Sequence, residues 1–176
     1  MTASPRLRIG ISQCLLGDHV RYDGGHKRDA LLADILSQQI EWVPVCPEVE
    51  AGLGVPREPM RLEGTAASPR LVTITTGADR TAAMQQFSAR RLRELERLNL
   101  SGYVFKARSP SCGIEKVPLI NAQGIEAPEG AGLFAQALIA HFPLIPVSDE
   151  DRLHDPQTLK DFLQRASDYR NSRERA

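Results

Sequence analysis

Residues 6–12 read RLRIGIS and run straight into Gln13-Cys14-Leu15-Leu16-Gly17. Leu7, Ile9 and Ile11 alternate with Arg8, Gly10 and Ser12, which is the period of a strand. A strand that ends in a cysteine and a glycine-containing loop sets a pattern that returns twice. Residues 41–45 (EWVPV) end in Cys46-Pro47-Glu48, and residues 103–107 (YVFKA) end in Arg108-Ser109-Pro110-Ser111-Cys112-Gly113.

Helical spacing fills the intervals. Leu31, Leu32, Ile35 and Leu36 predict a helix over 28–38. Met84, Phe87, Leu92, Leu95 and Leu98 predict a longer one over 79–98, with Asp79 as its N-cap. A third helix is expected over 131–141, before a short strand at 144–147. Asp155-Pro156 caps a C-terminal helix over 155–172 that carries Leu159, Phe162, Leu163, Ala166 and Tyr169 on one face. Residues 56–64 and 69–77 are β-prone runs around a short turn and read as an antiparallel hairpin. Residues 117–129 are rich in turn formers and fit no one element.

Strands alternating with helices predict a single α/β domain over 1–176. Its sheet is mainly parallel with helices on both faces, a Rossmann-like or flavodoxin-like three-layer arrangement with a small antiparallel hairpin excursion. In such open sheets the carboxyl ends of the strands form the ligand crevice. Cys14, Cys46 and Cys112 all follow strands, so they are expected on one edge although they lie far apart in sequence.

Composition supports a soluble domain: 176 residues, 41% hydrophobic and 25% charged. Lys and Arg total 22, as do Asp and Glu, so the formal net charge is zero. That balance argues against a generic polyanion binder, and nucleic acid is not an expected partner. No apolar run approaches the roughly 20 residues that span a bilayer. The opening MTASPRLRIGIS has no apolar core of a signal peptide. A cytoplasmic location without membrane partners is therefore expected.

Three cysteines is an odd number and closes no disulfide framework. Any one alone reads as a buried core residue. Their shared placement after strands, in loops rich in Gly, Pro and Ser, favours a common metal site. Structural zinc wants four ligands with close-spaced pairs, which this chain lacks. A catalytic zinc held by three thiolates and water fits, as does a [4Fe–4S] cluster with one iron free of protein ligands. An open iron would be a soft Lewis acid that prefers sulfur to oxygen.

The same loops carry the other chemistry. Glu48 reads as a general acid/base, or as a carboxylate at a helix start. Ser109 can position water or substrate, or simply form a turn. Asp23, in Asp23-Gly24-Gly25, can face the site or serve the turn. Arg21, Lys27, Arg57, Lys106 and Arg108 can bind an anionic substrate or offset a cluster's negative charge. The glycines Gly17, Gly25 and Gly113 permit close backbone approach. The four histidines show no ligand spacing.

CLLG followed by VRYDGG, then CPEVEAGLGVPREP, then KARSPSCG closely resembles the thiouracil desulfurase (TudS-like) family, long catalogued as a bacterial domain of unknown function. The motifs run in order from Ile9 to Gly113, so nearly the whole chain is covered. The resemblance implies a [4Fe–4S] enzyme that releases hydrosulfide from a thiolated pyrimidine, without redox chemistry, and leaves the oxo base. The substrate would be 2-thiouracil or a related 4-thio base or nucleotide. Cys14, Cys46 and Cys112 would hold the cluster, with Glu48 and Ser109 at the chemistry. Asp23 of the YDGG motif would join them at the site, and Lys106 and Arg108 are expected from their charge in the site loops to contact substrate. The extra C-terminal domain of some relatives is absent, so tRNA-directed activity is not expected. Two other readings stand beside this one: a three-cysteine zinc hydrolase or deaminase, and a cluster-carrying redox module. The missing fourth cysteine and the presence of Glu48 count against the module.

Overall fold

A computed structural model describes residues 6–175. Residues 1–5, part of the opening stretch discussed above, and Ala176 lie outside the described residues.

Among the described residues, eight strands form two four-stranded sheets. The first contains β1 (Leu7–Ser12), β2 (Ile40–Val45), β5 (Gly102–Phe105) and β8 (Val147–Asp149), in the order β2-β1-β5-β8, all parallel. The second contains β3 (Met60–Gly64), β4 (Pro69–Thr73), β6 (Val117–Ile120) and β7 (Glu126–Gly130), in the order β4-β3-β6-β7. Each of its two hairpins is antiparallel, and β3 joins β6 in parallel. Helices α1 (Pro47–Glu50), α2 (Thr81–Arg97), α3 (Leu133–His141), α4 (Glu150–Leu153) and α5 (Pro156–Glu174) complete the set.

The parallel sheet is buried on both faces, as a parallel sheet covered by crossovers must be. On one face Val45, Tyr103 and Phe105 share a core with Phe87 of α2, Phe134 and Leu138 of α3, and Leu62, Leu71 and Leu119 of the second sheet. On the other, Ile9, Ile11 and Val104 pack with Leu32, Leu36 and Phe162 and Ala166 of α5. Gly10 lies opposite Tyr103, and a Cβ there would come within 2.2 Å of the ring. Only glycine lets β1 and that ring share the layer.

The second sheet is larger than the hairpin excursion expected. Residues 117–129, assigned to no element from sequence, form the hairpin β6–β7. Pro118 interrupts the strand signal there, and the register shifts between Val117 and Leu119. The turn is tied by Asn121, whose Oδ1 accepts the amides of Gln123 and Ile125 at 3.0 and 2.9 Å.

The helix expected over 28–38 is instead a wide π turn at Leu31–Ile35 followed by a 3₁₀ turn at Leu36–Gln38. Trp42 Nε1 and Ser37 Oγ both donate to the Leu32 carbonyl at 3.2 Å, in competition with the α-helical ladder. Leu32 and Leu36 still reach the core. Asp79 accepts the Thr81 amide at 2.9 Å one residue before the start expected of a cap, since Arg80 holds the N-cap position of α2. The strand expected at 144–147 starts at Val147, after Pro146, and so ends on acidic residues. Asp155 caps α5, accepting the Thr158 amide at 2.8 Å.

Candidate active site

From β1 the chain crosses to β2 on one side and enters later on the other side through β5, so the sheet order reverses between β1 and β5. Crevices open at the carboxyl ends of strands at such a point. There the structure has a cavity of about 520 Å³, lined in part by Cys14, Cys46, Glu48, Ser109, Cys112 and Glu150. Each strand of the parallel sheet delivers part of the wall. Cys14 follows β1, Cys46 is the N-cap of α1 after β2, the 106–113 loop follows β5, and Glu150 follows β8.

All three cysteines are free thiols that line this one cavity. Cys46 and Cys112 are 8% and 5% exposed. Burial pushes Cys14 up to about 11, against a partial offset from Arg21, and Cys46 adds to the rise. Burial likewise raises Cys46, and it raises Cys112 furthest, with Cys14 and Cys46 contributing. Any metal group would have to displace three protons on binding these thiols.

Glu48 is held from two sides. Arg57 donates to its Oε2 from Nε at 2.7 Å and lies at 2.6 Å through Nη2. The Ser111 hydroxyl donates to Oε1 at 2.7 Å. Arg57 also donates to the Gly54 and Val20 carbonyls at 2.8 and 2.9 Å, and the Cys46 thiol points at the same Val20 oxygen at 3.8 Å. One guanidinium thus ties the carboxylate to the segment around Cys46.

Ser109 lines the cavity, and its Oγ accepts the amides of Ser111 and Cys112, both at 3.2 Å. Among the described residues that hydroxyl donates to no acceptor, which leaves its proton for a ligand. The loop is docked on α3: the Leu133 amide donates to Pro110, and those of Phe134 and Ala135 donate to Ser111. Gly132 makes this possible, because a Cβ there would lie 2.3 Å from the Ser111 backbone.

The cations divide by partner. Lys106 pairs with Glu150, both side chains being largely buried at 12% and 9% exposure, and also donates to the Ala107 carbonyl. Glu150 further accepts the Ala107 amide at 2.7 Å. Arg108, in the left-handed region at φ 61°, pairs with Asp151 on the exposed rim. Arg21 and Lys27 also line the cavity, and both lie near enough to Asp23 to favour its charged form. Asp23 is exposed outside the cavity wall. The Gly25 amide, at 2.9 Å, holds its carboxyl below the usual range.

Sequence reasoning missed Ser12, Ser111 and Glu150. Ser12 is 2% exposed, accepts the Lys106 amide at 2.9 Å and partly offsets the burial-driven rise of the Cys112 thiol. Serines at strand ends and turns carry no signal of their own. The acidic run Asp149-Glu150-Asp151 was visible, but β8 had to be placed correctly before it pointed at the site.

Fold and site define a three-layer α/β protein whose chemistry gathers at strand carboxyl ends around three cysteines and a clamped carboxylate. The sequence pattern of the 2-thiouracil desulfurase family matches residues 9–150, and the chain belongs to that family. It is 30% identical over 110 residues, covering 60% of this chain and 72% of the other, to the uncharacterised protein YbbK of Bacillus subtilis strain 168. It is also similar to the solved structure of a [4Fe-4S]-dependent thiouracil desulfidase, TudS. That match has a TM-score of 0.70 and 30% identity, and covers 90% of this chain and 99% of that one. No helix among the described residues is long and apolar enough to cross a membrane.

Proposed function

We propose that this protein replaces the sulfur of a thiolated pyrimidine with oxygen, consuming water and releasing hydrosulfide and the oxo base. The observation that carries this reading is the meeting of Cys14, Cys46 and Cys112 in one cavity with Glu48. The family and the TudS likeness support thiouracil as the substrate class and a [4Fe–4S] cluster as the cofactor, and the proposed substrate is 2-thiouracil or a related 4-thio base or nucleotide.

The donor set fits such a cluster, held by Cys14, Cys46 and Cys112. A cluster offers each thiolate its own iron, whereas one zinc draws every sulfur to about 2.3 Å. When bound, a cluster with one iron free of protein ligands supplies a soft Lewis acid for the thione sulfur and leaves the ring carbon electrophilic.

The chain's own residues then handle water and protons. The free Ser109 proton orients a water, and Glu48 accepts a proton from it as it attacks the ring carbon. Arg57 and Ser111 fix Glu48 for that transfer, so no reorientation is needed at the moment of reaction. The C–S bond breaks with its electron pair going to sulfur, the proton on Glu48 passes to that sulfur to give hydrosulfide, and the added hydroxyl loses its remaining proton to solvent as the oxo C=O forms. Lys106 and Arg108, countered by Glu150 and Asp151, shape the wall beside the substrate, and Asp23 fixes the loop at the mouth.

The test is anaerobic purification, iron and acid-labile sulfide analysis, and sulfide release from a panel of thiolated pyrimidines. Iron-loaded protein inactive on the whole panel would sink the reading.

A further inference from the structure

Tyr22 is the one aromatic residue lining the cavity among the described residues, and it is 39% exposed. The rest of the apolar wall is aliphatic, with Val20, Val45, Pro47, Pro59 and Met60 among its residues. Tyr22 is also held in place. Its carbonyl accepts the Arg57 amide at 2.9 Å, and Arg57 is the residue that clamps Glu48. Two positions earlier, the Val20 carbonyl receives both Arg57 and the Cys46 thiol. On the other side a tight turn, with the Arg21 amide on Gly25 and the Gly24 amide on Arg21, fixes the chain. The Arg21 guanidinium packs over the Tyr22 ring at 5.6 Å from its centroid.

Cavities that take small ligands are lined by apolar and aromatic side chains with a few placed polar groups, and Tyr22 is the aromatic member of this wall. The polar residues of the site reach only the edge of a flat ring, where its oxygen, nitrogen and sulfur atoms lie. Its faces need a platform, and aromatic side chains provide one for nucleobases of any sequence. We infer that Tyr22 is the stacking platform for the heteroaromatic ring of the substrate, held in the cavity wall by Arg57 and backed by Arg21. This rests on the desulfuration reading for the identity of the ring. Tyr22 would select flat heteroaromatic thiones over open-chain thioamides, and it would act in binding rather than in bond breaking.

The experiment compares wild type with Tyr22→Phe, Tyr22→Leu and Tyr22→Ala, all purified anaerobically with iron loaded. Calorimetric binding of uracil, which has the ring but no thione, scores the platform. Sulfide release from 2-thiouracil scores the chemistry separately. Loss of base–aromatic stacking is expected to weaken uracil binding and raise KM about ten- to a hundredfold in the Leu and Ala variants. Tyr22→Phe should stay near wild type, with kcat and the visible absorption of the iron chromophore unchanged in all three. Equal uracil affinity in all four proteins, or no uracil binding by wild type, would overturn the proposal. So would a Phe variant as weak as Ala, which would assign the effect to the hydroxyl. A wild type that binds uracil in this Tyr22-dependent way but releases no sulfide would support the platform and refute the desulfuration reading.

Discussion

Arg57 places two guanidinium nitrogens on one oxygen of Glu48, Nε at 2.7 Å and Nη2 at 2.6 Å, and leaves the other oxygen to Ser111 and the cavity. The side chains are 7% and 14% exposed, so the pair is shielded and its geometry is fixed. A carboxylate so held can take a proton without moving. Glu48→Gln keeps the shape and removes the acceptor, so it is expected to retain iron while kcat falls by roughly 10²–10⁴. Sulfide-release kinetics with iron quantitation check this, and near-normal turnover would leave Glu48 as a structural partner of Arg57.

The cysteines are expected to act as one set. A Cys→Ser change at Cys14, Cys46 or Cys112 removes a thiolate that no other described cysteine can replace. Each variant should lose iron and labile sulfide together, read by elemental analysis and the visible spectrum. Full iron content in any one variant takes that residue out of the ligand set.

Ser12 accepts the Lys106 amide at 2.9 Å and lines the same cavity as Cys112, where its hydroxyl favours the ionised sulfur. Hydrogen bonds to cysteine ligands raise the reduction potential of a cluster by drawing charge from sulfur. Ser12→Ala is therefore expected to hold its iron but shift the cluster potential to a more negative value, with Ser12→Thr close to wild type. Anaerobic potentiometry decides, and an unchanged potential would confine Ser12 to its bond with the Lys106 amide.

Two ion pairs at the cavity should differ in weight. Lys106 and Glu150 are nearly buried, so Lys106→Met strands a carboxylate and should cost about 3–5 kcal/mol. Arg108 and Asp151 are 63% and 51% exposed, so Arg108→Met should cost at most about 1 kcal/mol. Urea unfolding of both variants gives the comparison. Equal losses would mean that burial does not set the difference.

The hydroxyl and amide of Thr158 hold the Asp155 carboxyl below its usual range. A folded-state value below the unfolded one adds stability above the unfolded value, and this is lost as pH falls through the folded value. The stability advantage of wild type over Asp155→Asn should thus be present at neutral pH and vanish in strong acid. Urea midpoints across that range test it, and a pH-independent difference would assign the cap to geometry alone.

The local sequence carried the periodic parts of the protein. Ile9 and Ile11 alternate, Met84 to Leu95 recur at helical spacing, and Asp155-Pro156 mark a helix start. These are short-range signals that neighbouring residues set without help from the fold. From them follow the parallel sheet, its α/β class and the common edge of the three cysteines. The motifs around the cysteines likewise made the family legible. What the tertiary structure alone decided is pairing. Nothing near Glu48 in sequence says that Arg57 and Ser111 will hold it, and nothing near Lys106 points to Glu150. The second sheet was hidden for the same reason: β3 meets β6 only after some fifty intervening residues have folded. Long-range hydrogen bonds and ion pairs depend on where the chain returns in space, and a residue's immediate neighbours do not encode that.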